Sequence, residues 1–251
     1  MRERSGRDEQ GRIIIDGVRE SGQALAAGVE VLEAFFFAEL CCDKEHQRLL
    51  ATAERAGAEL MEVTSHVMEK LSFGQRIEGV VLVARPPQRR LDDLALPADT
   101  LVAIVEGVEK PGNLGAIVRT ADAAGVAAVL VADGGTDLYN PNAIRASLGA
   151  IFSVPVVAVS TEEILAWLRA EQFRIYTARV DGVAEYTDVD FLGRAAIALG
   201  SEARGLSARW RGDDIKSMRL PLLGSVDSLN LSATAAVLFY EALRQRRSSP
   251  T

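Results

Sequence analysis

Hydrophobic residues in this chain come in short aliphatic or β-branched runs separated by segments with helical spacing, an alternation that predicts an α/β protein built on layered sheets. In the first third, residues 13–15 read as a short strand, 17–27 as a helix stopped by Gly28, and 29–37 as a strand of mixed burial. Residues 44–56 form a further predicted helix with Gly57 as its stop, followed by a strand at 59–63, a short helix at 65–71 and a strong strand at 79–84. Beyond residue 97 the alternation sharpens. The runs at 101–105, 128–131, 154–159, 174–178 and 195–199 are almost wholly apolar, the pattern of parallel strands buried on both faces. Asn140 before Pro141 marks one helix start and Ser160 with Glu163 forms a capping box at another, while residues 228–247 make a long amphipathic final helix.

Between the two regions, residues 85–97 combine three prolines with dense charge and lack sustained periodicity. They read as a linker joining a small α/β domain, residues 1–84, to a larger one with a mostly parallel sheet flanked by helices, residues 98–251.

Composition narrows the class. With 251 residues, 48% hydrophobic and 25% charged, the chain is ordinary globular material. Its longest apolar stretches, such as 126–132, fall well short of the roughly 18–20 residues of a membrane span, so no membrane association is expected. The first twelve residues are polar and have neither an apolar core nor a small-residue cleavage site behind them, which predicts a cytoplasmic protein. Cys41 and Cys42 are adjacent and have no other cysteine to pair with, and His46 and His66 stand apart from any ligand cluster, so neither a structural disulfide nor a metal is expected. A net charge of -7 argues against coating nucleic acid by bulk electrostatics but leaves a local basic site open. Arginines concentrate at 85, 89 and 90, at 204, 209 and 211, and at 244, 246 and 247.

Three segments carry candidate chemistry. Residues 110–121 follow a buried strand and open a helix ending at Gly125; Asn113 and Arg119 are the polar groups there, readable as a helix cap and a solvated side chain or as site residues. The segment lacks the G-x-G-x-x-G spacing of a dinucleotide fold, which disfavours a nucleotide-dependent oxidoreductase. Residues 199–207, also after a buried strand, set Glu202 between Gly200 and Gly205, where a ligand can approach the backbone; the plainer reading is a tight connection with Ser207 capping a short helix. Residues 220–233 bring Ser228, Asn230 and Ser232 to the start of the final helix, as caps or as binding groups.

Taken together, N-x-G-x-x-x-R-T-A at 113–121, G-x-E-x-x-G at 200–205 and S-L-N-x-S at 228–232 resemble the three signature motifs of the SpoU, or TrmH-type, branch of the SPOUT RNA methyltransferases. The resemblance extends through 141–153 and covers nearly the whole C-terminal region, and residues 1–84 are similar to the small substrate-binding domain that often precedes this core. It departs at Pro221-Leu222, where Pro-Met is common, a swap of similar volume.

The resemblance implies a deep trefoil knot across residues 195–235 that binds S-adenosylmethionine (AdoMet) in a bent conformation. It implies cofactor binding by Leu199, Gly200, Leu220, Leu229, Gly205 and Ser232. Arg119 would stabilise the alkoxide that develops as a ribose 2'-hydroxyl is methylated, a role suited to a side chain that is always charged. Asn113 would orient Arg119 or the substrate, Glu202 would fix the second loop, and Ser228 and Asn230 would position the target nucleotide. Arg145 and Ser147 are read as RNA-contacting or structural. A homodimer is implied, with the final helix, including Leu231, Val237, Leu238 and Leu243, packing partly against a partner. The expected activity is 2'-O-methylation of structured RNA, ribosomal RNA ahead of transfer RNA, with an RNA-binding or assembly protein that lost catalysis as the alternative from another class.

Overall fold

A computed structural model of the chain describes residues 3–73, 77–133 and 136–248. Its first elements are α1 (Arg4–Gln10), β1 (Ile13–Asp16), α2 (Val18–Ala26), β2 (Val31–Phe36), α3 (Lys44–Arg55), β3 (Glu59–Glu62), α4 (Ser65–Leu71) and β4 (Val80–Ala84). They continue with β5 (Thr100–Glu106), α5 (Pro111–Ala124), β6 (Ala128–Ala132), α6 (Pro141–Ala146), α7 (Ala150–Ser153), β7 (Val156–Val159), α8 (Thr161–Ala170) and β8 (Arg174–Ala178). The last are β9 (Ala184–Glu185), β10 (Arg194–Leu199), β11 (Ile215–Arg219) and α9 (Leu231–Ser248). The chain divides into two units: Met1–Gln88 together with Tyr139–Ser153, and Arg89–Leu138 together with Val154–Thr251.

In the first unit the strands lie in the order β1-β4-β2-β3. Strand β4, with five consecutive buried residues, is antiparallel to both β1 and β2, and β3 is parallel to β2 at the edge. The segment Tyr139–Ser153 joins this unit through Arg145 of α6, whose guanidinium donates to Oδ2 of Asp16 at 2.6 Å. The same oxygen accepts from the Phe73 backbone N–H at 2.6 Å. Burial pushes the Asp16 carboxyl above its usual range, against the Phe73 hydrogen bond and the Arg145 charge. Ser147 is buried, and its hydroxyl donates to the Ile144 carbonyl at 2.7 Å. These contacts give Arg145 and Ser147 partners within the unit.

In the second unit seven strands run in the order β7-β6-β5-β10-β8-β11-β9, and every neighbouring pair is parallel. The wholly buried β5 and β6, with β10 beside β5, explain why these runs carry almost no polar residues. Strands β9 and β11 escape sequence reading because they are short and polar at the sheet margin, as IKSMR at 215–219 illustrates. The stretch expected as a linker contains a 3₁₀ turn, Leu91–Asp93. Leu91 is buried in this unit's core, with Leu94 and Leu96 packed against it; the surrounding prolines and charges hid that apolar anchor. The final helix starts at Leu231, so Ser228 to Asn230 precede it rather than open it. Asn113 is not a cap: Lys110 holds the cap position and Pro111 the first turn of α5.

His46, on α3, places Nδ1 2.8 Å from the Asp43 carboxylate and Nε2 2.8 Å from the Glu78 carbonyl oxygen. Both partners are acceptors, so the ring satisfies both only as imidazolium. Partial burial opposes that charge, but the bonds to Asp43 and Glu78 outweigh it and raise the pKa above 6.5. A raised folded-state pKa gives stability that is complete below the unfolded value and lost as pH rises through the folded one. Chemical unfolding of the full chain is therefore expected to show a fall in stability across that window that His46→Asn removes; an unchanged pH profile would contradict this pairing. Leu91→Ala is expected to cost about 2–3 kcal/mol in the same assay, whereas a true linker position would cost nothing measurable.

Candidate active site

In a parallel sheet, the loops that leave the carboxyl ends of adjacent strands share one rim. Here β5, β10, β8 and β11 are neighbours, and their exits carry all three candidate segments. Leu199 pairs with Val105, which sets the loops after β10 and β5 side by side.

The loop after β10 is a closed noose. The Gly205 N–H donates to the Ser201 carbonyl at 2.9 Å, and the Arg204 N–H donates to Ser201 Oγ at 3.1 Å. At its neck a Cβ on Gly200 would lie 2.1 Å from the Gly205 carbonyl carbon and 2.2 Å from the Leu206 nitrogen, so only glycine fits. Gly205 takes the left-handed conformation, with φ +64°, that turns the chain back. The two glycines of G-x-E-x-x-G thus hold the noose shut and present Glu202 at its tip.

Glu202 Oε1 accepts three hydrogen bonds. Asn113 Nδ2 of α5 donates at 3.2 Å, Asn230 Nδ2 at 2.6 Å and the Leu231 backbone N–H at 3.2 Å. Asn230 Oδ1 in turn accepts from the Ser232 N–H at 3.0 Å and from Ser232 Oγ at 2.6 Å, capping α9. The carboxylate therefore lies at the amino end of a helix of 18 residues, where negative charge is favoured. Charge-assisted bonds of this kind contribute about 1.5–3 kcal/mol each, toward the lower end at an exposed position.

Two clefts meet at this carboxylate. One is lined by Ala178, Leu199, Gly200, Leu220, Leu222, Ser228 and Leu229; the other by Gly107, Lys110, Asn113 and Ser201; Glu202 and Leu231 line both. In the first cleft, leucines supply flat apolar walls. Among the described residues, the backbone groups of 222–229 form no hydrogen bonds with the rest of the chain and so remain available to the polar edge of a ligand. That combination suits a heteroaromatic ring, adenine included.

Of the expected residues, the structure brings Asn113, Glu202, Asn230, Ser232, Ser228, Leu199, Gly200, Leu220 and Leu229 together, with Gly205 acting at the neck. It does not bring Arg119 to them. Arg119 is exposed on α5, lines neither cleft and has no hydrogen-bond or ion-pair partner among the described residues. Six residues beyond Asn113, it points about 120° away around the helix.

Sequence reading missed Glu106, the acidic residue ending the apolar run of β5. It is buried, and its carboxylate accepts from the Ser207 N–H at 2.6 Å, from Ser207 Oγ at 2.8 Å and from Thr161 Oγ1 at 3.2 Å, anchoring the exit of the noose. Ser207 does hold the cap position of a short 3₁₀ turn, Ala208–Trp210, but its hydroxyl serves Glu106 rather than the turn. Nearby, a Thr161 hydrogen bond and the Arg209 guanidinium hold the Asp133 carboxyl below its usual range. Arginines that look like a basic cluster are largely neutralised: Arg209 pairs with Asp133 and Glu162, Arg244 with Glu241 and Arg246 with Asp99. Among the described residues no group of three or more His, Cys, Asp or Glu is arranged to hold a metal ion, and no helix is long and apolar enough to cross a membrane.

Residues 100–240 match the SpoU rRNA Methylase family. The chain belongs to that family. Residues 1–82 match the MRM3-like substrate binding domain. The 23S rRNA (uridine(2479)-2'-O)-methyltransferase of Streptomyces viridochromogenes is 31% identical over 254 residues, covering 99% of this chain and 88% of that protein. A crystal structure of an RNA 2'-O ribose methyltransferase is 41% identical with a TM-score of 0.84, covering 97% of this chain and 92% of that one. The SpoU methyltransferase AviRb from Streptomyces viridochromogenes, in complex with AdoMet, superimposes with a TM-score of 0.89 at 29% identity, covering 99% of this chain and 95% of that one. The α/β architecture expected from the alternation of apolar runs is the architecture of these SpoU structures.

Gly200→Ala is expected to destabilise the C-terminal unit by about 2–3 kcal/mol, because the new methyl meets backbone on both sides. Gly224→Ala, where a Cβ would meet nothing within 4 Å, is expected to change stability by less than about 0.5 kcal/mol. Denaturant unfolding of the two variants checks the pair, and equal losses would contradict the noose geometry.

Proposed function

We propose that this protein is an AdoMet-dependent RNA methyltransferase that methylates a ribose 2'-hydroxyl in 23S ribosomal RNA. The observation that carries the reading is the Glu202 carboxylate, which draws all three motifs around one apolar cleft with free backbone edges. Support for the RNA comes from the 23S rRNA methyltransferase of Streptomyces viridochromogenes, aligned over nearly the whole chain, and support for the ribose comes from the 2'-O ribose methyltransferase structure. The match of residues 1–82 to a substrate-binding domain supports a division of labour in which the N-terminal unit holds the RNA.

AdoMet would be held by Leu199, Gly200, Leu220 and Leu229, and it supplies a methyl group already activated on a sulfonium. Asn113, with one amide hydrogen committed to Glu202, keeps its carbonyl for substrate in the second cleft, and Ser228 borders the first. Arg119 provides fixed positive charge for the alkoxide that develops as the 2'-hydroxyl loses its proton. Its exposure and its absence from both clefts support service in the site of a second copy, and so a homodimer. A trefoil knot over residues 195–235 belongs to the same reading, with the bonds from Glu202 to Asn230 and Leu231 tying its two loops. The cellular location consistent with a ribosomal substrate is the cytoplasm.

The test is transfer of labelled methyl from AdoMet to unmodified 23S rRNA and to tRNA, with the product mapped by resistance to alkaline cleavage. Label in ribosomal ribose is expected, and Arg119→Ala should lower kcat by about 10²–10³ while AdoMet affinity stays within a few-fold of wild type. Label in tRNA alone would replace the substrate, and failure to bind AdoMet would overturn the reading.

A further inference from the structure

The N-terminal unit is acidic overall and most of its cations are spoken for. Arg4 pairs with Asp8, Arg12 with Glu33, Arg85 with Glu30 and Arg145 with Asp16. Arg55 bonds within its own helix, and Arg7 and Lys70 also have partners. Among the described residues, the cations left with neither an ion pair nor a hydrogen bond on the side chain are Arg19, Lys44 and Arg48, all exposed.

These three are not scattered. Arg19 of α2 and Arg48 of α3 line the two walls of one groove, about 420 Å³, between the helices. Lys44 lies one turn before Arg48, so the two share a face of α3. The groove floor is apolar, with Val18 and Leu49, and the acid among its lining residues is Glu45. Asp43, beside Lys44, is committed to His46.

Gly22, in the middle of α2, points to the same use. A helix interior disfavours glycine relative to alanine. A Cβ on Gly22 would meet nothing within 4 Å, so packing does not call for glycine there. Its effect is to leave the groove floor open between Arg19 and Arg48.

Resting on the reading of the chain as an RNA methyltransferase, we propose that the α2/α3 groove is where the N-terminal unit seats the RNA backbone, with phosphates on Arg19, Arg48 and Lys44 and the chain passing over Gly22. Phosphate contacts are the dominant, salt-sensitive part of such binding, and a protein of net charge -7 must concentrate them.

The experiment uses the full-length protein, an unmodified 23S rRNA transcript and AdoMet. Arg19→Ala/Arg48→Ala is expected to raise KM for the RNA by tenfold or more with kcat at saturating RNA and AdoMet affinity unchanged, and to reduce the dependence of log affinity on log salt by roughly 1.5. Gly22→Ala should raise the melting temperature while weakening RNA binding, a pairing that loss of folding cannot mimic. Arg85→Ala, in the same unit but ion-paired elsewhere, should leave RNA affinity unaltered. If the double variant binds AdoMet and RNA as wild type does, the groove is not the RNA seat, whether or not another macromolecule uses it. If the wild-type protein methylates no RNA, it is the functional reading that fails.

Discussion

One carboxylate oxygen carries the architecture of the site. Glu202 Oε1 accepts from Asn113, 89 residues away in sequence, and from Asn230, 28 residues away, as well as from the first N–H of the last helix. The backbone of residues 222–229 makes no hydrogen bond to the rest of the chain among the described residues, so this loop has little else to fix it. Closing such a loop costs configurational entropy, and the bonds to this charge at a helix amino end offset part of it. The noose between Gly200 and Gly205 exists to hold that charge in place.

Everything beneath the carboxylate is platform. The register of β10 against β5 fixes the roots of two loops, and buried Glu106 ties the exit of the noose back to the end of β5 through Ser207. Acids thus hold the second loop at its tip and at its exit, one solvent-facing and one buried. The result is one cleft with apolar walls and unpaired backbone, beside a second cleft lined by Asn113 and Lys110. Arg119, exposed on α5, lines neither of these clefts.

Much of this was legible in the residues. Buried parallel strands betray themselves as apolar runs, and β5, β6, β8 and β10 are found where those runs lie. The motif residues converge because each motif lies on the segment that follows one of three strands, β5, β10 or β11, whose carboxyl ends share a rim. What stayed hidden had physical causes. Leu91, Leu94 and Leu96 sit among prolines and charges, so their shared burial cannot be seen in a local window. Strands β9 and β11 are too short and polar to show periodicity, and Glu106 looks like the polar end of a strand until its three donors are known. Clustered arginines said little by their proximity in sequence, because acids, some neighbouring and some from distant segments, pair with Arg85, Arg90, Arg209, Arg211, Arg244 and Arg246, and the free cations of the N-terminal unit lie outside those clusters.

The most direct measurement is a double-mutant cycle on the clamp, using Glu202→Ala, Asn113→Ala and the combined variant, read as unfolding free energy and as kcat/KM for methyl transfer. If Glu202 acts by tying the first motif to the other two, the combined variant should lose little beyond Glu202→Ala alone, with a coupling of about 1 kcal/mol or more. Strict additivity, with each residue contributing independently to stability and rate, would contradict a site held together by a single carboxylate.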